Sequence, residues 1–342
     1  MRVALIVNPH ATKVSQRLTD QVVSLLVAAQ HKVDVQPTSH PRQATALASA
    51  AVASGAELVV TLGGDGTVNE VANGLHGSGV LLGLAGGGKT NVFQRGLGLP
   101  IDTIAATTRL LELLAAGTGT GGDGGGEGRR RISLGAANGR VFTFAAGLGL
   151  DGAIVREVER RRRAKQLYGD HTYVVAGLKT LLLSYDRDNP HLAVHFPDGR
   201  PALNGFFALI SNGDPFSYLG RRPFRPTPDA TFEGGLDLLV GQTMTAARLT
   251  RAITGMLSHR SPASHAGERG NAVHGRPAER AAYPGMPVLH DQDAFTLSSD
   301  VPLAFQLDGE YLGDFTTVAF ERLAGALTVV APAPAAAGRA GR

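Results

Sequence analysis

The strongest indication of how this chain folds is Val60-Thr61-Leu62-Gly63-Gly64-Asp65-Gly66-Thr67-Val68-Asn69-Glu70. An apolar strand over 58–62 enters the glycines, and the apolar spacing between Val68 and Leu75 predicts that a helix begins at once. Glycine lets a backbone approach a ligand closely, and a helix start offers N–H groups and a positive dipole end that bind phosphate. Asp65 adds a carboxylate where a divalent cation or a transferring group needs one. The alternative, for this stretch alone, is a tight turn whose glycines serve packing.

Strands and helices alternate over the first third of the chain. The patterns predict strands at 2–8, 33–36, 58–62 and 80–84, and helices at about 15–30, 41–54 and 102–115. Such alternation indicates βαβ units and a parallel sheet covered on both faces, with ligands bound beyond the carboxyl ends of the strands. The Gly63–Thr67 loop lies at one of these ends. We therefore predict an α/β fold in which residues 1–118 form a parallel-sheet, nucleotide-binding catalytic domain.

The character of the chain changes after this domain. Residues 119–129 are Gly-rich and indicate a flexible segment, and residues 130–331 predict a β-rich sandwich domain that binds the substrate. Its strands are predicted at 131–136, 140–146, 191–196, 204–211, 236–241, 301–307 and 315–320, and its helices at about 151–162 and 171–184. A stretch near 258–285 without periodicity predicts a mobile insertion, and the tail over 332–342 predicts disorder. The cleft between the domains is the expected site.

The composition excludes several classes of protein. No run of some 18 apolar residues lacks a charge or a breaker, so we predict no transmembrane helix, and Met1–Pro9 is predicted to be a first strand, not a signal peptide. The absence of cysteine excludes disulfides and thiolate chemistry and fits a cytoplasmic chain. The net charge of +4 is mild and is concentrated in short basic runs. The 11 histidines show no metal-ligand spacing.

A rival motif follows the next strand, where Gly83-Leu84-Ala85-Gly86-Gly87-Gly88-Lys89-Thr90 matches the P-loop pattern. In that alternative Lys89 contacts phosphate and Thr90 contacts Mg²⁺. The segment 91–100 contains two glycines and a proline, which leaves room for a turn or two of helix and not for the long helix of a P-loop. We therefore expect no P-loop here, and any contact of Lys89 with phosphate through its charge alone.

Six motifs follow one another along nearly the whole chain. They are Val7–Ala11, Gly63–Glu70, Gly88–Phe93, Phe144–Asp151, Asn212 with Tyr218–Gly220, and Leu307–Glu310. In this order they resemble the diacylglycerol kinase and sphingosine kinase superfamily of lipid kinases, in particular its soluble bacterial members. The motif at 63–70 and Asp308-Gly309-Glu310 are specific in combination, whereas each other piece alone is weak.

The resemblance implies an ATP-dependent lipid kinase that uses Mg²⁺ and transfers the γ-phosphoryl group to a hydroxyl of diacylglycerol or a related lipid. The residues it implies for ATP are Asn8, Thr12 and Thr38 at the adenosine end, and Gly63, Gly64, Asp65, Gly66, Thr67, Asn69, Gly88 and Thr90 at the phosphates. Asp65 is also the implied metal ligand and a catalytic residue. The base is implied to be Asp308 or Glu310, brought from the second domain. In an extended strand the two would share a face, whereas a turn at Gly309 would split their roles.

Three positions depart from the pattern of this superfamily. Val92 stands where an aspartate is frequent, so a carboxylate of the metal-and-water network is missing. Gly234 replaces an acidic ligand of a structural Mg²⁺ site, which leaves open whether the site is lost or Glu233 takes over. Lys89 stands where a small residue is usual.

Two other functions stay open at this point. One is an NAD-kinase-like enzyme, because a Gly-Gly-Asp-Gly-Thr loop on an α/β domain also occurs there, and the other is a non-catalytic nucleotide- or lipid-binding protein, because Val92 replaces a carboxylate. The expected partners are a lipid substrate and, through Arg160–Arg163 with Lys165, an anionic membrane surface, but not nucleic acid; a homodimer stays open. The expected localisation is cytoplasmic with peripheral membrane association, in phospholipid metabolism. Aromatic residues over 216–224, interleaved with arginines, suit either a loop at an interface or a capped core.

Overall fold

The computed structural model describes residues 1–117, 128–165, 185–258, 279–283 and 285–334. The chain forms two compact units, an amino-terminal unit made of Met1–Leu134 with Leu323–Arg342, and a β-rich unit made of Gly135–Arg322. Outside the described residues lie the predicted helix at 171–184, most of the Gly-rich segment at 119–129, most of the insertion near 258–285 and most of the tail at 332–342.

The amino-terminal unit alternates strands and helices, which confirms the predicted α/β fold. Its elements are β1 (Arg2–Val7), α1 (Gln16–Ala28), β2 (Lys32–Pro37), α2 (Gln43–Ala53), β3 (Leu58–Gly63), α3 (Asp65–Leu75), β4 (Leu81–Gly87), α4 (Val92–Gly96) and α5 (Thr103–Ala116). The strands pair in parallel in the order β2-β1-β3-β4. Every residue of β3 and β4 is buried, as expected for parallel strands covered on both faces.

The strand order determines on which face of the sheet the first two helices lie. The connection from β1 to β2 runs one way along the sheet and the connection from β2 to β3 runs back, so right-handed crossovers place α1 and α2 on opposite faces. The helix α1 begins after Ser15, whose hydroxyl accepts the N–H of Leu18 at 3.3 Å, and α5 packs beside it. The helices α2 and α3 pack together closely because alanines at 44, 48 and 51 form the buried face of α2.

From Arg129 onward the chain is rich in strands, as predicted. The elements are β5 (Arg129–Ala137), β6 (Arg140–Phe142), β7 (Ala145–Leu148), α6 (Leu150–Lys165), β8 (Leu192–His195), β9 (Leu203–Gly205), β10 (Phe207–Ser211), β11 (Ser217–Leu219), β12 (Arg222–Phe224), β13 (Leu236–Gly241), α7 (Ala246–Leu257), β14 (Glu279–Tyr283), β15 (Met286–Gln292), β16 (Ala294–Leu307) and β17 (Glu310–Val330). Antiparallel pairs link β14-β15-β13-β10-β7-β16-β17, and β11 with β12 forms a separate hairpin. Phe320 lies in the core of the β-rich unit, stacked on Phe295 with ring centroids 5.1 Å apart.

The end of β17 belongs to the amino-terminal unit. Thr328 and Val329 pair in parallel with Leu81 and Leu82 of β4, which adds a fifth strand to the parallel sheet. The sequence pattern predicts a strand only over 315–320. Local periodicity indicates that a strand exists, but it does not indicate which distant strand it joins, so this closing strand was not predicted.

Other differences from the predicted elements bear on the site. The predicted strand at 140–146 is two strands, β6 and β7, with a break at Thr143-Phe144. The helix α7 and the β11–β12 hairpin were not predicted, and β14 lies within the stretch predicted as an insertion. No helix in the described part of the chain is both long enough and apolar enough to cross a membrane.

Candidate active site

The glycine turn after β3 joins strand and helix with no intervening loop. Gly64 is the N-cap of α3 and Asp65 is already its first helical residue. A methyl group on Gly63 would lie 2.6 Å from the Thr67 hydroxyl oxygen, and one on Gly88 would lie 2.6 Å from the Cα of Gly64. At Gly66, by contrast, a methyl group would meet no atom within 4 Å. Packing therefore explains the glycines at 63, 64 and 88, whereas Gly66 faces open space.

Polar side chains hold the start of α3 to its neighbours. The Asn8 side-chain amide donates to the Thr67 hydroxyl at 3.1 Å, and the side-chain oxygen of Asn8 accepts the N–H of His10 at 3.0 Å. An oxygen of the Asp65 carboxylate accepts the N–H of Phe93 at 3.3 Å. These bonds link the helix start to the ends of two neighbouring strands, β1 and β4. The backbone N–H groups of a first helical turn have no partner within the helix, so this end of α3 suits an anion.

A cavity of about 410 Å³ opens beside the start of α3. It is lined by Asn8, His10, Thr38, Ser39, His40, Pro41, Ala44, Gly66, Thr67 and Glu70. Four of the residues predicted to contact ATP therefore share one cavity: Asn8, Thr38, Gly66 and Thr67. The other predicted residues of this unit do not line it: Thr12, Gly63, Gly64, Asp65, Asn69, Gly88 and Thr90.

One wall of the cavity is the loop between β2 and α2, which the sequence analysis did not single out beyond Thr38. Glu70 of α3 fixes this loop, because its two carboxylate oxygens accept the N–H groups of Arg42 and Ala44, each at 3.0 Å. Arg42 has a left-handed backbone, with φ of 68°. Glu70 thus caps α2 from a neighbouring helix. Topology could have predicted that this loop lines the cavity, because β2 is parallel to β1 and the two strands end on the same edge of the sheet.

The P-loop-like segment at the end of β4 does not build a P-loop. The helix α4 that follows it has five residues, as the sequence indicated. Asn91 precedes that helix with a left-handed backbone, and its side-chain oxygen accepts the N–H of Gly88 at 3.0 Å. Lys89 is exposed. Val92 is only 4% exposed, so this position is part of the apolar core.

The Asp308-Gly309 pair forms the turn of the β16–β17 hairpin. Leu307 pairs with Glu310, and the two residues between them have φ of 48° and 80°. Positive φ at both positions is typical of a type I′ turn, for which Asp-Gly is a preferred sequence. Of the two arrangements left open by the sequence, the structure has the turn, so Asp308 and Glu310 do not lie on one face of an extended strand.

The carboxylate of Asp308 binds the backbone where β6 breaks from β7. One oxygen accepts the N–H and the hydroxyl of Thr143, both at 2.7 Å, and the other accepts the N–H groups of Phe144 and Ala145, both at 3.0 Å. Burial raises the pKa of Asp308, and these hydrogen bonds oppose the rise. Glu310 differs, because its side chain is 52% exposed and pairs with Arg140. Asp308 therefore organises the backbone, while Glu310 keeps an accessible carboxylate.

A further pair of polar side chains supports this turn. Gln306, which is 2% exposed, accepts the N–H of Gly309 at 2.8 Å and donates to the Asp151 carboxylate at 2.7 Å. Burial raises the pKa of Asp151 to about 6. Asp151 ends one of the sequence motifs, but the sequence did not predict a role for Gln306, because a glutamine within a strand carries no signal of its own.

The metal predictions concern two places. Asp65 lies at the glycine turn, and Glu233 and Gly234 precede β13. Among the described residues no group of three or more histidine, aspartate and glutamate side chains could hold a metal ion by itself. Whether Glu233 replaces the lost acidic ligand stays a prediction. The predicted catalytic residues Asp65 and Glu310 belong to different units.

Comparison with known proteins bears on both units. Residues 2–118 match the family model of the diacylglycerol kinase catalytic domain. A diacylglycerol kinase from Bacillus subtilis (strain 168) is 30% identical over 184 residues, which are 53% of this chain and 55% of that protein. A diacylglycerol kinase from Staphylococcus carnosus (strain TM300) is 26% identical over 185 residues, with coverage of 53% and 55%. The chain thus spans about half the length of the curated relatives it matches.

The fold is shared over a longer span. A crystal structure of a diacylglycerol kinase from Bacillus anthracis str. Sterne matches with a TM-score of 0.64 and 19% identity, and the match covers 97% of each chain. At this identity the likeness shows the fold alone. The sequence matches confirm the resemblance to the diacylglycerol kinase superfamily that was drawn from the motifs, and residues 2–118 are similar to its catalytic domain.

Proposed function

We propose that this chain is an ATP-dependent lipid kinase that transfers the γ-phosphoryl group of ATP to a hydroxyl of diacylglycerol or a related lipid. The observation that carries the proposal is the glycine turn at 63–67, which opens α3 beside a cavity lined by Asn8, Thr38 and Thr67. This turn lies within the span that matches the diacylglycerol kinase catalytic domain. The relatives with that name extend the proposal to the lipid acceptor.

The residues of the amino-terminal unit fit a nucleotide. A cavity of about 410 Å³ is within the usual size of small-molecule sites. Asn8, Thr12 and Thr38 would contact the adenosine end. The turn from Gly63 to Asn69, with Gly88 and Thr90, would hold the phosphates, because a helix start and an uncovered glycine favour an anion at close range.

Asp65 fits a role in holding Mg²⁺. This ion is usually bound through one or two carboxylates, with phosphate and water oxygens completing its shell. Asp65 supplies one carboxylate at the turn, and buried Val92 supplies none. The ion, when bound, would neutralise charge on the phosphate oxygens.

For the proton of the acceptor hydroxyl, the hydrogen bonds favour Glu310 over Asp308. Both oxygens of Asp308 already accept hydrogen bonds from residues 143–145. The Glu310 carboxylate is half-exposed and is oriented by Arg140. A general base must reach the hydroxyl with an available oxygen, and Glu310 has one. Asp308 would act as a positioning residue that shapes the turn before Glu310.

Incubation with γ-labelled ATP tests the activity directly. We expect label in diacylglycerol or a related lipid when the protein is given a panel of lipids and, separately, NAD. Label in NAD alone would overturn the lipid-kinase proposal in favour of an NAD-kinase-like enzyme. Binding of ATP without transfer to any acceptor would favour a non-catalytic nucleotide-binding protein.

Variants test the assigned roles. Asp65→Ala should abolish turnover, and Glu310→Gln should lower kcat by about 10² to 10⁴ without loss of ATP binding, the usual contribution of a general base. Lys89→Ala should change activity little, because α4 is too short to build a P-loop around it. A complete loss of activity in Lys89→Ala would contradict our interpretation of that segment.

A further inference from the structure

The β11–β12 hairpin presents an unusual tip. Leu219 is 68% exposed, more than any other large apolar side chain in the described part of the chain. It is followed by Gly220, with φ of 63°, and by Arg221 and Arg222, which are both exposed. Leu219 pairs with Arg222, so Gly220 and Arg221 form a two-residue turn between them. A leucine at the tip of a tight turn gains nothing from the core of its own protein.

The base of this hairpin is held firmly. Phe216 is 5% exposed and meets Phe224 edge to face, with ring centroids 6.0 Å apart. Arg225, which follows β12, donates its backbone N–H to the carbonyl oxygen of Met256 in α7 at 2.9 Å. The hairpin and α7 therefore form one surface, anchored by the packed rings of Phe216 and Phe224 and by a backbone hydrogen bond.

The helix α7 exposes the same kinds of side chain as the tip of the hairpin. It buries Ala252 and Met256, and it exposes Arg248, Arg251 and Ile253. Ile253 is 43% exposed. Hairpin and helix thus combine two exposed aliphatic side chains with four exposed arginines. We call this set, Leu219, Arg221, Arg222, Arg248, Arg251 and Ile253, the arginine–leucine surface.

The charge of this surface is unbalanced. Neither β11, β12, their turn nor α7 contains an aspartate or a glutamate. None of the four arginines forms an ion pair with a residue that the structure describes, whereas nearby Arg225 pairs with Asp214 at 2.9 Å. The basic run on α6 is different, because Arg160 pairs with Glu157 in the same helix at 3.0 Å. The side chains of Arg161–Arg163 and Lys165 lie outside the described residues.

We propose that the arginine–leucine surface docks on a lipid bilayer that carries anionic headgroups. Leu219 would enter the headgroup–acyl boundary, where its burial is favourable, and the arginines would face the negative surface potential. The proposal rests on the proposed function, because a kinase for a membrane lipid has to reach the bilayer surface. It assigns the contact to the hairpin and α7, which were not predicted as elements from the sequence.

The aliphatic tip favours a bilayer over a nucleic acid. A site for single-stranded nucleic acid combines basic groups with exposed aromatic rings on which bases stack. Here the rings of Phe216 and Phe224 are turned into the base of the hairpin, and the exposed apolar groups are aliphatic. Arginines alone would bind any polyanion, so Leu219 is the residue that distinguishes the two partners.

The test is co-sedimentation of the full chain with vesicles, without ATP or diacylglycerol. We expect binding to phosphatidylcholine vesicles that contain phosphatidylglycerol and much weaker binding to phosphatidylcholine alone. Each arginine of the surface replaced by glutamine should weaken binding about fivefold, and Leu219→Ser about tenfold. Matched controls are Arg17→Gln and Val27→Ser, which change an exposed arginine and an exposed valine of α1 and should bind like the unaltered protein.

Three results would overturn the proposal. The first is that the unaltered protein does not bind anionic vesicles, and the second is that the α1 controls lose as much vesicle binding as the surface variants. The third is that the arginine variants lose vesicle binding, Leu219→Ser does not, and the protein binds heparin as well as it binds vesicles. The last result would indicate a general polyanion site. Because the assay needs no turnover, it separates docking from catalysis: a protein that binds vesicles but phosphorylates no lipid contradicts the proposed function alone. If both hold, Leu219→Ser should lose activity on vesicle lipid and keep it on dispersed short-chain diacylglycerol.

Discussion

Two turns in this molecule contain aspartate and glycine, and the two aspartates occupy different backbone settings. At the end of β3, Asp65 is the first residue of a helix, and its carboxylate accepts the N–H of Phe93 at 3.3 Å. At the β16–β17 hairpin, Asp308 accepts short bonds from three consecutive residues with both of its oxygens. The first carboxylate lies at a helix start, where we propose that it holds Mg²⁺, and the second holds the backbone of residues 143–145.

The glycines differ in the same way. Gly88 is required because its backbone touches that of Gly64, whereas Gly309 is favoured because the turn needs a positive φ. Two similar short motifs therefore need glycine for different physical reasons. The close contacts and the backbone φ angles distinguish these two causes.

The largest effect on stability that we expect is from Asp308→Ala. Loss of the carboxylate leaves the N–H groups of residues 143–145 buried without an acceptor, at a cost of about 3 to 5 kcal/mol in the free energy of unfolding. Urea denaturation would measure the loss, and hydrogen exchange should show reduced protection at these amides. Glu310→Gln is the matched control two positions away and should change stability by less than about 0.5 kcal/mol, because its side chain is half-exposed. Equal effects in the two variants would remove the distinction between Asp308 and Glu310.

The pH dependence of stability tests the surroundings of the second turn, where Asp151 is buried. Burial raises its pKa from 3.8 to about 6, so between these values the folded protein holds a proton that the unfolded chain releases. Stability from this group is therefore lost as the pH rises from about 4 to 6, and the loss amounts to at most about 3 kcal/mol at neutral pH. Asp151→Asn keeps an acceptor for Gln306 and removes the ionisation. Its stability should match the unaltered protein near pH 4 and exceed it at pH 7; a constant difference across this range would contradict the assignment.

Much of the amino-terminal fold could be predicted, because its signals are local. Buried parallel strands are continuous apolar runs, and helices alternate with them at regular intervals, so β1 to β4 and their helices follow from the sequence. The closing strand over 323–330 could not be predicted, since its partner β4 is more than two hundred residues away in sequence. The break between β6 and β7 was missed for a similar reason. It is fixed by Asp308, and no feature of residues 140–146 indicates that bond.

The part of the candidate site that could be predicted consists of polar side chains that follow the ends of strands. Asn8, Thr38 and Thr67 follow β1, β2 and β3, and parallel strands end on one edge, so their meeting in one cavity follows from topology. Glu70 was quoted in the motif without a role, because its task depends on where α2 begins. The sequence also could not decide between a strand and a turn at Asp308, since both are compatible with Asp-Gly-Glu.

The first turn can be tested through its two kinds of glycine. Gly88→Ala should destabilise the amino-terminal unit by about 1 to 3 kcal/mol, because the new methyl group would lie 2.6 Å from the Cα of Gly64 and the backbone would have to shift. Gly66→Ala should change stability by less than about 1 kcal/mol, because no atom lies within 4 Å and the backbone is helical. Gly66→Ala should weaken ATP binding instead, since the methyl group would occupy space at the cavity. The urea midpoint and the Kd for ATP measure the two effects, and similar values for both variants would contradict our division of the glycines.

A modest effect is expected at Glu70, which lines the cavity and also holds the backbone of the loop before α2. In Glu70→Gln one oxygen remains to accept the N–H of Arg42 or Ala44, so the free energy of unfolding should fall by only about 1 kcal/mol, the usual value for a helix cap. The loss of a negative charge at the start of α2 acts in the same direction. Glu112→Gln, an exposed glutamate on α5, is the control and should have no measurable effect on stability. If Glu70 acted on the ligand and not on the loop, the variant would alter the Kd for ATP and leave the urea midpoint unchanged. We expect instead that both change together, because the loop that Glu70 fixes is itself a wall of the cavity.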